Sequence, residues 1–290
     1  MANAITLFKK YVDRLDEVYK RAALSSILDS PADIVREGAN ANEIIVPKMS
    51  LSGLADYSRN NGYVGGDVTL TNETVQFNYD RGRKFGVDAV DDEETAGTAF
   101  GRLASTFLRE KVAPEGDAFT FATLAGTSGI GSASAALSTG ADVIAALRTA
   151  TNTMDEAEVD EAERVLLITP TLRGMIADLD TNKSREVLER FGEIVRVPQT
   201  RFYSAIKLNN GTTSGEEIGG YTKATGAKNI NFMVVQRSAV IKYDKHIVNK
   251  VVRPEDNQTS DQWLFFYRKY GLVDVYENKV AGIYAHLSTT

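Results

Sequence analysis

Apolar and polar residues alternate from about Pro47 to Val90, and this pattern predicts an extended arm with two legs. The apolar positions of its returning leg are Val68, Leu70, Val75, Phe77, Tyr79, Phe85 and Val87, with a slip in the alternation at Asn72-Glu73. The tip NNGYVGG supplies three glycines for a turn. A leg of roughly 14 residues spans about 45 Å. Because an isolated two-stranded hairpin is only marginally stable in water, we expect the arm to lie on a neighbouring copy of the chain.

A helical pattern occupies residues 2–26, where apolar residues recur at alternating spacings of three and four. The residues of this apolar stripe are Ile5, Phe8, Val12, Leu15, Tyr19 and Ala22. The stripe must be buried against the body of the protein or against a partner. The polar stretch Leu28–Asn42 then separates this helix from the arm, so the N-terminal segment is predicted to be an appendage.

A second helix is predicted directly after the arm, from Glu93 to about Ala125. The acidic run DDEE stands at its start, where negative charge favours the unpaired N–H groups of a first turn. Pro114 is expected to kink or interrupt it.

Helices and strands alternate in the middle of the chain, and strands dominate its end. After a Gly/Ser/Ala-rich loop (Gly126–Gly140), the pattern predicts a helix at Ala141–Met154 and a strand at Val165–Ile168. Thr169-Pro170 suits the start of a further helix. A polar stretch of about 180–228 and several β-rich segments follow. The fold class is therefore predicted to be α+β.

The amino-acid composition of the chain excludes several classes of function. The 290 residues include no cysteine, which excludes a disulfide framework, a thiolate metal site and a cysteine nucleophile. The net charge of −6 argues against a protein that mainly grips phosphates. No apolar run reaches the roughly 18 residues of a membrane span, and no signal-peptide pattern stands at the N-terminus. A soluble, cytoplasmic protein that does not read nucleic acid is expected.

The order of these parts resembles the major capsid (coat) proteins of tailed bacteriophages, which share the Hong Kong 97 capsid fold. The likeness rests on the N-terminal arm, the extended hairpin, the helix VDAVDDEETAGTAFGRLASTFLREKVAPEGDAFTFATLAG, the unit VLLITPTLRGMIADL and the ending FYRKYGLVDVYENKVAGIYAHL. It implies an N-terminal arm (1–46), an E-loop hairpin (47–90), a P-domain with a long spine helix (91–126), an A-domain (127–243) and return strands of the P-domain (244–290).

The resemblance also implies a function: an icosahedral shell around double-stranded phage DNA, assembled in the host cytoplasm and found in the virion. The partners would be copies of the chain itself, in pentamers and hexamers joined by heterologous contacts, together with a scaffolding protein and a portal; DNA would be held only non-specifically. Some relatives begin with a long scaffolding segment, whereas only about 46 residues precede the hairpin here. The alternative within the same fold is an encapsulin shell that encloses protein cargo.

Three patterns could instead indicate an enzyme or a metal site. AGTSGIGSA (125–133) imitates a dinucleotide-binding loop but follows a predicted helix, so a flexible inter-domain linker is favoured. The acidic run DEAEVDEAE (155–163) lacks the glycine and spacing of a calcium loop, so a solvated connector is favoured. His246 and His286 belong to no catalytic motif. No catalytic, cofactor-binding or metal residues are predicted.

The residues expected at subunit contacts lie in the arm. The resemblance allows a covalent cross-link through an E-loop lysine, but no lysine lies between Lys48 and Lys84. A guanidinium is a poor nucleophile, so the arm's arginines are interpreted as partners for carboxylates on a neighbouring subunit, with plain solvation as an open alternative. The predicted contact residues are Tyr57, Arg59, Tyr63, Arg81 and Arg83, the two tyrosines acting as interface anchors.

Overall fold

The computed structural model describes residues 22–30, 36–37, 43–94, 98–179 and 182–289. The helices are α1 (Ala89–Glu94), α2 (Thr98–Phe107), α3 (Ala113–Gly126), α4 (Gly140–Glu156), α5 (Pro170–Leu179) and α6 (Asn182–Glu189). The strands are β1 (Arg36–Glu37), β2 (Glu43–Leu51), β3 (Val68–Gln76), β4 (Tyr79–Asp88), β5 (Gly131–Ser134), β6 (Arg164–Ile168), β7 (Glu193–Arg196), β8 (Ile206–Leu208), β9 (Tyr221–Lys223), β10 (Ile230–Gln236), β11 (Val240–Val252), β12 (Gln262–Val275) and β13 (Ile283–Leu287).

These strands form four sheets. The hairpin sheet has the order β1-β2-β3, the largest sheet has the order β5-β13-β10-β6-β7, a third has the order β11-β12-β4, and β8 pairs with β9. In the five-stranded sheet β5 runs parallel to β13 and β6 parallel to β7, whereas β10 is antiparallel to both of its neighbours. Mixed helix and sheet agrees with the predicted class.

Helices cover both faces of the five-stranded sheet, which explains why every residue of β6 after Arg164 is apolar. Val165 and Leu167 pack on the side of α3, whereas Leu166 and Ile168 pack on the side of α4 to α6. A strand with both faces buried needs an uninterrupted apolar run and not an alternating one. The strand prediction at Val165–Ile168 is confirmed, with one residue added at its start.

The predicted helix starts after this strand and after the glycine-rich loop are also confirmed. Helix α5 begins at Pro170, as Thr169-Pro170 indicated. Helix α4 is capped by Thr139, whose side chain accepts from the backbone N–H of Asp142 at 3.2 Å, while the Asp142 carboxylate accepts from the N–H of Thr139 at 2.9 Å. This reciprocal capping box satisfies N–H groups that the first turn leaves free.

The long helix after the hairpin tolerates its proline through a π-helical turn. Thr98–Phe107 leads into a π turn at Leu108–Val112 and then into α3, where Pro114 stands in the first turn. Proline lacks an N–H group and its ring clashes with the carbonyl one turn earlier, and a wider turn accommodates both. The predicted interruption therefore takes the form of a local widening in which helical geometry continues. The acidic start is confirmed by Asp91 and Asp92 in the first turn of α1.

Several sequence predictions need correction. The glycine-rich segment expected to be a linker contains β5, which hydrogen-bonds to β13 as an edge strand. Helix α6 lies in the polar stretch of about 180–228, where no helix was predicted. The division at residue 244 stays a prediction; the structure shows that β11 runs through this position and that β13 pairs in the same sheet as β5, β6, β7 and β10. Apolar periodicity does not reveal which distant strand pairs with which, so these placements were not accessible from local pattern.

The arm is also shorter than predicted. The paired strands β2 and β3 have nine residues each, about 30 Å at 3.3 Å per residue. The strand character predicted for Phe85 and Val87 is confirmed, but β4 pairs with β12 from Tyr79↔Gly271 to Asp88↔Gln262. The free hairpin therefore ends at Gln76, and the rest of the predicted arm belongs to a body sheet.

Candidate assembly surface

The hairpin of β2 and β3 changes its apolar face halfway along its length. Near the body, Ile44 lies opposite Val75, and both are buried. Further out, Met49 lies opposite Leu70 on the other face, and both are exposed. The slip at Asn72-Glu73 is this change of face and not a bulge, because the register from Glu43↔Gln76 to Leu51↔Val68 has no break. The body of the protein covers the apolar side chains of the inner half. The outer half presents its apolar side chains on the opposite face, so we expect a different partner to cover them.

The outer half carries most of the large apolar side chains that the described residues expose. They are Met49, Leu51, Leu54, Tyr57, Tyr63, Val64, Val68 and Leu70. Single exposed apolar side chains are ordinary, but a contiguous set of them indicates an interaction surface. We call this set the hairpin apolar face.

The tip of the hairpin is folded around a small turn. Ser58 and Gly62 exchange backbone hydrogen bonds of 3.2 and 2.8 Å, and Gly62 adopts φ +75°, which favours glycine. The turn brings the rings of Tyr57 and Tyr63 to 4.9 Å between centroids, with Tyr63 90% exposed. Arg59 belongs to the same turn and is exposed. The structure thus brings together three of the five predicted contact residues.

The base of the hairpin is fixed to the body by packing and by charge. Ile44 and Val46 pack with Ile241 and Leu272 of the β11–β12 pair. Lys48 Nζ lies 3.0 Å from Glu277 Oε2. Burial, together with the neighbouring carboxylate of Glu277, raises the pKa of Glu73. These contacts fix the base of the hairpin to the body of the protein.

Arg81 and Arg83 lie on β4, outside the free hairpin. Arg81 Nε donates to Glu115 Oε1 at 2.7 Å, and the Tyr79 hydroxyl donates to the same oxygen at 3.1 Å. Arg83 Nη2 donates to the carbonyl of Glu217 at 3.0 Å. The carboxylate expected for Arg81 on a neighbouring subunit is thus supplied by α3 of the same chain. These two arginines hold β4 to its surroundings and are separated from the tip residues.

A buried carboxylate fixes the segment that precedes the hairpin. Asp117 of α3 is fully buried and accepts from the N–H groups of Leu24 (3.0 Å) and Ser25 (2.9 Å). These N–H groups open the 3₁₀ helix Leu24–Leu28, whose positive end the carboxylate neutralises. Arg201 Nη1 lies 3.0 Å from the same carboxylate.

Lys242 fixes the other end of this segment to β11. Its ammonium group donates to the carbonyl oxygen of Ser25 at 2.9 Å and lies 2.6 Å from Asp29 Oδ1. The backbone N–H of Ser30 donates to the Lys242 carbonyl at 3.0 Å. The predicted N-arm face (Ile5, Phe8, Val12, Leu15 and Tyr19) lies outside the described residues, but the place where that arm joins the body is held by buried charge.

The acidic segment 155–163 is mostly exposed, as expected for a solvated connector, and it also wraps around a buried cation. Arg164 is fully buried at the start of β6, and its guanidinium donates to Asp155 Oδ1 at 2.8 Å and to the backbone carbonyls of Asp160 and Val159. Arg190 Nη2 binds the second oxygen of Asp155 at 2.6 Å. Within the described residues, no group of three or more His, Asp or Glu side chains is arranged to hold a metal ion.

The two histidines lie in different sheets. His286 in β13 is buried, stacks on Phe232 at 4.9 Å between centroids and accepts at Nδ1 from the Asn231 amide at 3.0 Å. Burial lowers its pKa. His246 in β11 is exposed. The arrangement makes His286 a core residue with one satisfied ring nitrogen.

The burial of His286 predicts a stability that falls on acidification. The pKa of His286 is lower in the folded state, so below the unfolded value of about 6.5 the unfolded chain binds more protons. Its contribution is complete above that pH and declines as the pH falls towards the folded pKa, by at most about 1.4 kcal/mol per pH unit. Urea unfolding between pH 5 and 7.5 measures this slope. His286→Gln should flatten it; equal slopes in the wild type and His286→Gln would contradict the assignment.

The residues that sequence reasoning missed are Glu115, Asp117, Arg164 and Lys242. Acidic residues inside the apolar face of a predicted helix, as in PEGDAF, were the one available signal for the first two. Among the described residues no helix is long and apolar enough to cross a membrane.

No protein-family description matches the sequence, and no curated protein is significantly similar to it. Solved structures do share its fold. A structure from Gordonia phage Cozz superposes with a TM-score of 0.59 at 11% identity, covering 93% of this chain and 87% of that one. The capsid structure of cyanophage P-SCSP1u gives 0.56 at 13% identity, covering 88% and 86%. The virus-like particle from Pyrococcus furiosus gives 0.56 at 10% identity, covering 93% and 98%. The chain therefore has the mixed helix and sheet fold of phage capsid structures, as the resemblance predicted.

Proposed function

We propose that this chain is the major capsid protein of a tailed bacteriophage and assembles in many copies into an icosahedral shell that encloses double-stranded DNA. The observation that carries the proposal is the hairpin apolar face, which the described part of the chain leaves exposed while it buries the inner half of the same hairpin. The fold shared with phage capsid structures supports it. The role is structural and not enzymatic.

In this proposal the free hairpin at residues 43–76 is the E-loop. Strand β4, which follows the hairpin, connects it to the body sheet. The helix from Thr98 to Gly126 is the spine helix, and with β4, β11 and β12 it makes the P-domain. The five-stranded sheet, including β13, makes the A-domain. The anchored segment 22–30 is the point from which the N-terminal arm reaches a further subunit.

Assembly follows from contacts between unlike surfaces. The hairpin of one copy lies on a different surface of the next, and such heterologous contacts close into rings, here pentamers and hexamers. Tyr57, Arg59 and Tyr63 supply the contact at the tip, and the shell is held without covalent bonds. A scaffolding protein and a portal complete the set of partners, and a net charge of −6 suits a container that holds DNA only non-specifically.

The second candidate function is a shell of the same fold that encloses protein cargo instead of DNA. The match to the virus-like particle from Pyrococcus furiosus, which covers 98% of that chain, supports an encapsulin that encloses protein cargo. The contents of purified shells separate the two: nuclease-protected DNA supports the phage capsid, and a co-purified protein inside DNA-free shells supports the encapsulin.

Negative-stain electron microscopy of the full chain, expressed alone and then with its neighbouring genes, tests the shell itself. Closed particles, or rings of five and six subunits, are expected. Strictly monomeric protein under both conditions would contradict the proposal.

A further inference from the structure

The three-stranded sheet of β11, β12 and β4 has one packed face and one open face. Phe265 and Tyr267 of β12 pack against residues of α2, whereas Phe266 and Arg268 alternate with them and so lie on the opposite face. The base of the hairpin covers one end of that opposite face, at Leu272. Farther along, the face is open, with 57% of the Arg268 side chain exposed.

Cations from all three strands meet on this open part of the sheet. Lys250 of β11 lies opposite Phe266 of β12, and Phe266 lies opposite Lys84 of β4, so two lysines flank one aromatic ring. In the next row, Arg268 lies opposite Gly82. Both lysines are exposed, and Lys84 Nζ lies 5.6 Å from the centre of the Phe266 ring. Like charges at this spacing repel each other, so the arrangement favours an anion between them.

Glycine makes this part of the face concave. A trough of about 520 Å³ runs over Gly82, and its walls include Lys84, Val248, Lys250, Phe266 and Arg268. A Cβ atom at Gly82 would lie 2.8 Å from the carbonyl oxygen of Tyr267, so a side chain there would clash and would also fill the trough. The trough is therefore open to a group that approaches the sheet between the cations.

One carboxylate lines the trough, against four cations. Both oxygens of Asp80 accept from Arg268, at 2.9 and 2.6 Å, and these hydrogen bonds hold the pKa of Asp80 below its ordinary value. The guanidinium of Arg83 donates to the carbonyl of Glu217, which does not line the trough. Asp88, farther along β4, accepts a backbone N–H at the start of α1. A net positive charge therefore remains at the two lysines.

The chemistry of the trough favours a phosphate group over a protein partner. The centre of a protein interface is apolar and depleted in charged residues. Here the apolar side chains are Val248 and Phe266, and charged residues surround them. In a chain with a net charge of −6, such a local concentration of cations suits a polyanion that approaches this one face.

We propose that the trough binds the backbone of duplex DNA, with a phosphate group between Lys84 and Lys250 and above Phe266. The inference rests on the proposed function and adds to it the surface through which the shell contacts its contents. Phosphate contacts carry no base sequence, so the binding is independent of sequence. Two or three such contacts bind weakly in one copy and add up over the many copies of a shell.

Titration of the full, unassembled chain with a short fluorescent duplex, between about 50 and 200 mM salt, measures this contact. Each phosphate contact contributes about 0.9 to the slope of log affinity against log salt. Lys84→Gln/Lys250→Gln should therefore flatten the slope by about 1.8 and weaken binding at least about tenfold. The matched control, Lys183→Gln/Lys223→Gln, removes the same charge from exposed lysines outside the trough and should keep the slope.

The carboxylate of the trough provides a test in the opposite direction. Asp80→Asn removes that negative charge and releases the Arg268 guanidinium, so duplex binding should tighten by about five- to tenfold. Asp178→Asn changes the net charge equally at an exposed site outside the trough and should change the affinity by less than about twofold. Equal gains in both variants would reduce the effect to net charge and refute the trough as the site.

The side of the shell on which the trough lies can be measured because the chain contains no cysteine. In empty particles of Lys250→Cys, a small maleimide should react, whereas a maleimide on a polymer too large to enter the shell should not. Reaction with both reagents would place the trough outside, and reaction with neither would show that a neighbouring copy covers it. Either result would overturn contact with packaged DNA.

The remaining results separate this inference from the proposed function. Absence of salt-dependent duplex binding by the wild type, or equal loss in the two double-lysine variants, would refute the trough as a phosphate site. Displacement of the duplex by poly-glutamate as effectively as by unlabelled duplex would assign the trough to an acidic protein segment. Failure of the wild type to form particles would instead refute the proposed function, because duplex binding is measured on the unassembled chain.

Discussion

Replacing Asp117 by alanine is expected to lower the free energy of unfolding by about 3–5 kcal/mol. The substitution removes one carboxylate, leaves the N–H groups of Leu24 and Ser25 without their acceptor, and leaves the guanidinium of Arg201 with the carbonyl of Ala22 but without its anion. Each donor left unsatisfied in a buried place carries its own desolvation cost, and a charged donor more so. Urea unfolding of the purified chain measures the change.

The same variant should release the segment 22–30 before the rest of the chain unfolds. Amide hydrogen exchange at Leu24 and Ser25 should accelerate first, because their hydrogen-bond acceptor is gone. Asp117→Asn, which keeps the size but not the charge, should cost about 1.5–3 kcal/mol. Asp178→Ala, an exposed carboxylate on α5, should change stability by less than about 0.5 kcal/mol. Equal effects of Asp117→Ala and Asp178→Ala would contradict the anchoring role.

The local sequence pattern was sufficient to predict those elements that are determined by neighbouring residues. The helix starts at Thr169-Pro170 and at the acidic run before the long helix could be predicted because proline, threonine and carboxylates act on the first turn itself. The hairpin could be predicted because its strands are separated by one turn. Even the slip at Asn72-Glu73 was visible, although its meaning as a change of face needed the pairing of β2 with β3.

Contacts between residues that are far apart in the chain could not be predicted from the sequence. Asp117 and Leu24 are 93 positions apart, and nothing in either neighbourhood specifies the other. The parallel pairing of β5 with β13 joins the first strand of the large sheet to the last strand of the chain, and a short run of glycine, serine and alanine carries little strand propensity. For Arg81, the chemistry was predicted but not the partner: a carboxylate was expected, and it lies in the same chain.

Replacing Leu70 by aspartate is expected to abolish particle formation while leaving the subunit folded. Leu70 is exposed in a single copy, so its replacement should change the free energy of unfolding by less than about 1 kcal/mol. In the proposed shell it lies against a neighbour, where an apolar side chain of this size contributes about 1.5–3 kcal/mol and a carboxylate costs more to bury. The contact should weaken at least about a hundredfold. Sedimentation and electron microscopy measure assembly, and circular dichroism checks the fold.

The opposite face of the hairpin provides the control. Thr69 is the neighbour of Leu70 in β3, is equally far from the body and is also exposed, but it points to the face that carries Ser50 and not Met49. Thr69→Asp therefore adds the same charge at the same distance from the body but leaves the hairpin apolar face unchanged. Particles should still form. Loss of particles in Leu70→Asp alone would assign assembly to that face. Loss in both variants would show that added charge anywhere on the outer hairpin blocks assembly. Particles in both would mean that the outer hairpin is not a contact surface, and the change of apolar face at Pro47 would then have no role in assembly.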